Sequence, residues 1–107
     1  MGYNTVVILI LVSFENKEDA EKVANALVNK KLAACVSLFP TTNFYYWKGK
    51  KVKSSEIESI IKTKDDKFDA VKSEIEKLVS YEIPQIISVK VDKASQSYIK
   101  WLEEGTN

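Results

Sequence analysis

This chain of 107 residues contains no histidine and only one cysteine, Cys35. Histidine is the usual base that activates a nucleophile and a common transition-metal ligand, so its absence argues against both kinds of site. One cysteine excludes an intrachain disulfide framework. The three glycines are scattered and form no glycine-rich phosphate loop, and no CxxC, HExxH or paired-acid motif occurs. We therefore expect a protein that is not an enzyme.

The chain also lacks an excess of charge and a long hydrophobic run. Sixteen basic and fifteen acidic residues leave a net charge of +1, which is no strong electrostatic footprint for nucleic acid. The longest apolar run, residues 5–12, is far shorter than the roughly 20 residues of a membrane span, and it lacks the flanks of a signal peptide. We expect one cytoplasmic domain over residues 1–107, with neither a membrane nor a nucleic-acid partner. The segment FYYWKGKKVK has the aromatic and basic character of a single-stranded nucleic-acid site, but a hairpin arm accounts for it as well.

Periodicity predicts four strands and three helices. Continuous β-branched residues predict a strand buried on both faces at 6–12, and an amphipathic helix capped by Asn16 follows. Two extended segments are joined by a hairpin turn at Lys48-Gly49, and Pro40 in the first of them indicates a bulge or a sheet edge. Asp65 or Asp66 is expected to cap the second helix. The predicted segments are strand 6–12, helix 17–30, strands 32–47 and 52–64, a helix after 65–66, strand 87–91, a short helix from Ser95, and a frayed end at 103–107.

This order, β-α-β-β-α-β-α, is the α+β ferredoxin-like fold with a long β2-β3 hairpin and one additional C-terminal helix. Its helices cover one face of an antiparallel sheet, and its first strand is central. Both alternating sets of that strand are apolar, however, so the face without helices also needs a cover. Either the last helix folds back over it or a second copy of the chain does. Tyrosines and tryptophans of the hairpin and the C-terminal third suit an interface, which favours an oligomer.

The motifs KLAACVSLFP, FYYWKGK, IIKTK, SYEIPQIISV and SYIKWL occur in this order, and the chain resembles the CutA divalent-cation tolerance family over nearly its whole length. The resemblance implies a homotrimer in which the hairpin arms wrap neighbouring subunits, as in PII-like signalling proteins. It also implies association with copper or another divalent metal ion, and a ligand cleft between subunits.

The resemblance carries the family's site residues onto this sequence one by one. Cys35 is implied as the metal contact. The implied ligand-binding positions are Tyr45, Trp47, Glu56, Lys62, Tyr81, Glu82 and Trp101, with Tyr98 as a second C-terminal aromatic. Two positions depart from the family's pattern: Val79-Ser80 replace a His-Pro pair, and Gln85 replaces a glutamate. We therefore expect modest copper affinity that depends on Cys35.

Each candidate keeps a structural alternative. For Cys35 the alternatives are a small buried side chain, a ligand for a soft metal ion, and a nucleophile. The nucleophile is the least expected of the three, because the chain has no histidine to act as its base. Lys62 lies on a solvated face, or it anchors an anion beside Glu56 or Glu58 under a partner subunit. The pair at 81–82 is a packed tyrosine with a surface acid, or a cleft wall, and both tryptophans suit interface packing. For the protein as a whole, a ligand-binding trimer is the leading hypothesis, and a structural trimer that anchors other proteins is the alternative.

Overall fold

The computed structural model describes residues 5–107. It has four strands and three α-helices in the predicted order. Their bounds are β1 Val7–Phe14, α1 Lys17–Asn29, β2 Cys35–Trp47, β3 Lys50–Lys64, α2 Phe68–Leu78, β4 Ile86–Lys90 and α3 Gln96–Glu104, with a short 3-10 turn at Asp65–Lys67 before α2.

The strands form one antiparallel sheet in the order β2-β3-β1-β4. Strand β1 is therefore central, as its apolar run predicted. Strands β2 and β3 pair over thirteen consecutive residues, from Cys35 opposite Lys62 to Trp47 opposite Lys50. Lys48 and Gly49 close this hairpin with φ of 51° and 81°, the left-handed values that a tight hairpin turn requires. Pro40 pairs with Ile57 without a bulge, because β2 is an edge strand and proline needs no partner for a missing N–H there.

The main core lies between the sheet and helices α1 and α2. Alternate side chains of β1 point into it, and Ile8, Ile10, Val12 and Phe14 are at most 1% exposed. Apolar residues of both helices and of β3 meet them there: Ala20, Val23, Leu27, Ile61, Val71 and Ile75. Burial of each of these larger side chains contributes about 1.5–3 kcal/mol of hydrophobic stabilisation.

The helix ends differ from the predictions in two places. Asn16 does cap α1, since its side-chain oxygen accepts a hydrogen bond from the Asp19 amide at 2.7 Å. The expected cap of α2 by Asp65 or Asp66 is wrong, because these residues form the 3-10 turn and Lys67 precedes α2 without a side-chain cap. The Asp65 amide instead donates to the Val6 carbonyl and extends the strand pairing.

The expected fraying at 103–107 is also wrong. Helix α3 continues to Glu104, and Thr106 is only 7% exposed. The Asn107 amide donates to the Lys31 carbonyl at 3.0 Å, and the Lys64 ammonium donates to the Asn107 carbonyl at 2.8 Å. These long-range bonds hold the chain end, which local sequence does not reveal.

Candidate functional site

The sheet face opposite helices α1 and α2, here called the open face, is largely apolar. The strand register places two rows of side chains at its centre, Cys35, Lys62, Leu9 and Val89, then Ser37, Ile60, Leu11 and Ile87, and Phe39, Glu58 and Ser13 form the next row. Ile87 and Val89 are about half exposed, and Phe39 is 39% exposed. The face therefore retains apolar area that one subunit does not cover.

Lys62 is the one charged residue of these two rows. Its ammonium lies 3.4 Å from the Ser37 hydroxyl and 3.9 Å from the Cys35 sulfur. Among residues 5–107 it forms no ion pair, and the acids proposed as its partners contact other residues: Glu82 lies near Lys48, and Glu56 and Glu58 accept hydrogen bonds from polar side chains. The open face thus presents a half-buried cation whose neighbours at hydrogen-bonding distance, within residues 5–107, are a hydroxyl and a thiol.

A cleft of about 860 Å³ continues this face toward the hairpin arm, between the arm, the end of β1 and the bend at residues 81–85. Five of the predicted site residues line it: Tyr45, Trp47, Glu56, Tyr81 and Glu82. Cys35, Lys62 and Trp101 do not. The structure therefore divides the predicted set between the cleft, the open face and helix α3.

Two carboxylates of the cleft are fixed by polar neighbours. Glu56 accepts hydrogen bonds from the Asn43 amide at 2.8 Å and the Ser54 hydroxyl at 2.7 Å. Sequence analysis missed both donors, although a two-residue turn at 48–49 places Asn43 directly opposite Ser54. The position of this turn could have predicted both hydrogen-bond donors to Glu56.

Glu58, the second fixed carboxylate, lies in a hydrogen-bonded group with Ser13 and Gln85, and the Gln85 side-chain nitrogen donates to it at 3.3 Å. The Ser13 hydroxyl is 2.6 Å from both the Glu58 carboxylate and the Gln85 side-chain oxygen. A hydroxyl carries one hydrogen and can donate to only one of them. Carboxylate, amide and hydroxyl oxygens are the ligands that hard divalent cations prefer.

Glu82 is more exposed than the fixed carboxylates, and its oxygen lies 3.7 Å from the Lys48 ammonium at the turn of the arm. Tyr81 holds the bend against helix α1. Its hydroxyl donates to Asp19 at 2.6 Å and accepts from the Glu15 amide at 3.0 Å. Burial, and then the bond to Asp19, raise the pKa of the Tyr81 phenol well above its ordinary value. Its hydroxyl is thus a fixed positioning group rather than an acid or a base.

Trp101 lies on helix α3, where its ring centroid is 5.5 Å from that of Tyr98. It is 49% exposed and takes no part in the cleft of the same subunit. Its predicted role in ligand binding would therefore need a site on another surface or between subunits.

Comparison with known proteins gives the family. The family model "CutA1 divalent ion tolerance protein" matches residues 8–105. The chain belongs to the CutA1 family. It is 37% identical over 100 residues to the divalent-cation tolerance protein CutA of Pyrococcus horikoshii, covering 94% of this chain and 98% of that protein.

Solved CutA structures share the fold. The structure titled periplasmic divalent cation tolerance protein CutA from Archaeoglobus fulgidus matches with a TM-score of 0.89 and 33% identity, over 92% of this chain and 97% of that one. CutA1 from Pyrococcus horikoshii matches with a TM-score of 0.89 and 36% identity, over 94% and 98% of the two chains. The ferredoxin-like α+β fold with a long hairpin is thereby confirmed.

The CutA family name refers to divalent cations, and the candidate donor atoms of this chain differ in how well they suit a bound cation. Residues 5–107 contain no group of three or more cysteine, aspartate or glutamate side chains arranged to hold one. At Cys35 the Lys62 ammonium lies 3.9 Å from the sulfur, and like charges close to one another repel. A protonated Lys62 therefore disfavours a cation at Cys35, whose role as a metal ligand remains a prediction. The oxygens around Glu58 carry no such penalty.

No helix among residues 5–107 is long and apolar enough to cross a membrane.

Proposed function

We propose that this CutA-family chain is a non-enzymatic homotrimer that binds a divalent cation weakly in its acidic cleft, in a tolerance or signalling role. The observation that carries the proposal is the group formed by Glu58, Ser13 and Gln85, in which a carboxylate and an amide side chain both lie 2.6 Å from one hydroxyl. A bound cation would be shared by these oxygen atoms. With one carboxylate at its centre, the group favours modest affinity.

The open face supports assembly of several copies. Half-exposed Ile87 and Val89 lie beside Leu9 and Leu11 on this face, and a contiguous apolar surface of this kind marks an interaction site. Helix α3 does not remove the exposure of β4, so a second copy of the chain is the cover that remains from the two alternatives.

Coverage of the open face would also complete a site for an anion. Lys62 lacks a carboxylate partner within residues 5–107, and an unpaired buried charge is costly. A carboxylate of another copy, or a small anionic ligand between copies, would satisfy it. Cation and anion sites are thus proposed for different parts of this face, around Glu58 in the cleft and around Lys62.

Light scattering tests the assembly, with the mass of three 12.1 kDa chains as the expected result. Calorimetric titration with manganese, zinc and copper salts tests the cation site. Glu58→Gln removes the central charge and should weaken manganese and zinc binding at least tenfold. The matched control is Glu76→Gln, since Glu76 is an acid paired with Lys72 on the exposed surface of α2, and it should bind as the parent does.

Titration with copper distinguishes the cleft from Cys35 as the metal-binding site. If Cys35→Ser alone abolishes copper binding, the thiol is the copper ligand and the oxygen group is not. If Glu58→Gln binds every metal as tightly as the parent, the cleft assignment is wrong. A ligand that binds the folded state alone must raise its melting temperature. A trimer whose melting temperature responds to neither metals nor small anions would support the structural, anchoring alternative instead.

A further inference from the structure

The register of the hairpin places the only cysteine of the chain directly opposite a lysine. Cys35 pairs with Lys62 across strands β2 and β3. The Lys62 ammonium lies 3.9 Å from the Cys35 sulfur and 3.4 Å from the Ser37 hydroxyl, which holds it on this side of the sheet. The pair therefore combines a thiol and an amine, two groups that can react with each other once the sulfur is oxidised.

The single cysteine limits what oxidation of the thiol can lead to. Peroxide converts a thiolate to sulfenic acid, which then condenses with a second thiol or with a nitrogen atom. The chain has no second thiol, so it cannot form a disulfide within itself. The Lys62 nitrogen is within hydrogen-bonding distance of the sulfur, and an adjoining ammonium is one of the neighbours that favour the thiolate. The lysine is thus the group placed to capture an oxidised Cys35.

We propose that peroxide joins Cys35 to Lys62 through a sulfur–nitrogen bond, a sulfenamide that cross-links β2 to β3. In the first step the thiolate attacks one peroxide oxygen: an S–O bond forms, the O–O bond breaks, the sulfur is oxidised by two electrons, and the other oxygen leaves as water. In the second step the lone pair of the neutral Lys62 amine attacks the sulfur. The S–N bond forms, the S–O bond breaks, and the departing hydroxide takes a proton from the nitrogen to leave as a second water. The chain loses two hydrogen atoms in total.

The strand pairing permits this bond without a change of fold. Side chains directly opposite each other in an antiparallel pair have Cβ atoms about 4.5–5.5 Å apart. The four-carbon stem of lysine is flexible, so its nitrogen can close the 3.9 Å to the sulfur while both backbones stay in place. The reaction does not need an uncovered face, because peroxide is scarcely larger than water and both reacting groups belong to one chain.

The cross-link would change what the open face can bind. It removes the thiol of Cys35, which is the soft donor of this face, together with the ammonium of Lys62, which is the cation of the proposed anion site. A thiol reductant would restore both groups, because this stage of cysteine oxidation is reversible. The pair would therefore act as a redox switch for this face, and its chemistry can be tested whether or not the proposed metal and anion sites exist.

Mass spectrometry of the peroxide-treated protein tests the proposal. About a tenfold excess of hydrogen peroxide should lower the intact mass by about 2 Da, and dithiothreitol should restore it. Trypsin cleaves after lysine, so the digest should contain peptides 32–48 and 54–64 joined through Cys35 and Lys62, with no cleavage after Lys62.

Two arginine variants provide the controls. Lys62→Arg keeps the positive charge but has no neutral amine, so its mass should instead rise by about 16 or 32 Da as the sulfur becomes sulfenic or sulfinic acid. Lys64→Arg is the matched control, because Lys64 lies further along the same strand face with its ammonium on the Asn107 carbonyl, and it should cross-link as the parent does. Circular dichroism establishes that each variant keeps the fold.

Several results would overturn the proposal. The parent could keep its mass or only gain oxygen, Lys62→Arg could also lose about 2 Da, or the product could be a disulfide between two chains. A gain of about 14 Da with the same two peptides joined would show an S–O–N bridge and would overturn the direct bond.

Discussion

Replacement of Lys62 by methionine tests whether the open face is covered in solution. In the single subunit the ammonium contacts only a hydroxyl at 3.4 Å and a thiol at 3.9 Å. Both contacts are long and the residue is partly exposed, so Lys62→Met should change the free energy of unfolding of a lone subunit by no more than about 0.5 kcal/mol. In a covered face where Lys62 meets a carboxylate, removal of the ammonium leaves a buried unpaired charge and should cost about 3–5 kcal/mol.

The assay is denaturant unfolding of parent and variant at one protein concentration, because the stability of an oligomer depends on concentration. Light scattering gives the mass of each. Lys64→Met is the matched control: it lies two residues further on the same strand face, and its ammonium reaches the Asn107 carbonyl at an exposed position. It should cost about 1 kcal/mol or less.

Two results would refute the reasoning. A loss below about 1 kcal/mol, with mass and ligand binding unchanged, returns Lys62 to a solvated face. A gain in stability with unchanged mass would mean that the face is covered while the ammonium has no counter-charge, which removes the argument for an anion between subunits.

Three further predictions concern other parts of the fold. The hydrogen bond from Lys30 is the main cause that lowers the pKa of buried Glu74 in the folded protein. The ionised carboxylate therefore stabilises the fold above the unfolded-state pKa, and this stabilisation is lost as the pH falls through the folded-state pKa. Glu74→Gln removes the titrating group, so the urea midpoint of this variant should fall less on acidification than that of the parent. Tyr81→Phe removes the bond to Asp19 and should cost about 1 kcal/mol in urea unfolding; in the parent, ultraviolet titration should show one phenol that ionises after the others. Cys35→Ser should keep the oligomeric mass, and loss of the assembly would show that the thiol is needed for packing.

The central position of β1 could be predicted from sequence, because a strand with two apolar faces belongs inside a sheet. The pairing of Cys35 with Lys62 could also have been predicted. A two-residue turn at Lys48-Gly49 fixes every partner along the hairpin, and that pairing bears directly on whether Cys35 can hold a cation. Which predicted site residues lie together could not be predicted from the sequence. That grouping depends on whether the hairpin arm approaches the bend at 81–85, and this depends on the curvature of the arm. The ordered chain end depends on the Lys31 carbonyl, 76 residues away from Asn107, and no local pattern signals such a bond.

The unbroken pairing of β2 with β3 restricts how the arm can change in length during evolution. One residue inserted in a single strand would put the pairs beyond it out of step. One residue in each strand would restore the pairs but turn Tyr45 and Trp47 to the other side of the arm. Only two residues in each strand keep both the pairs and the sides, and they lengthen the arm by about 7 Å. Arms of related proteins that use these same faces should therefore differ by multiples of four residues.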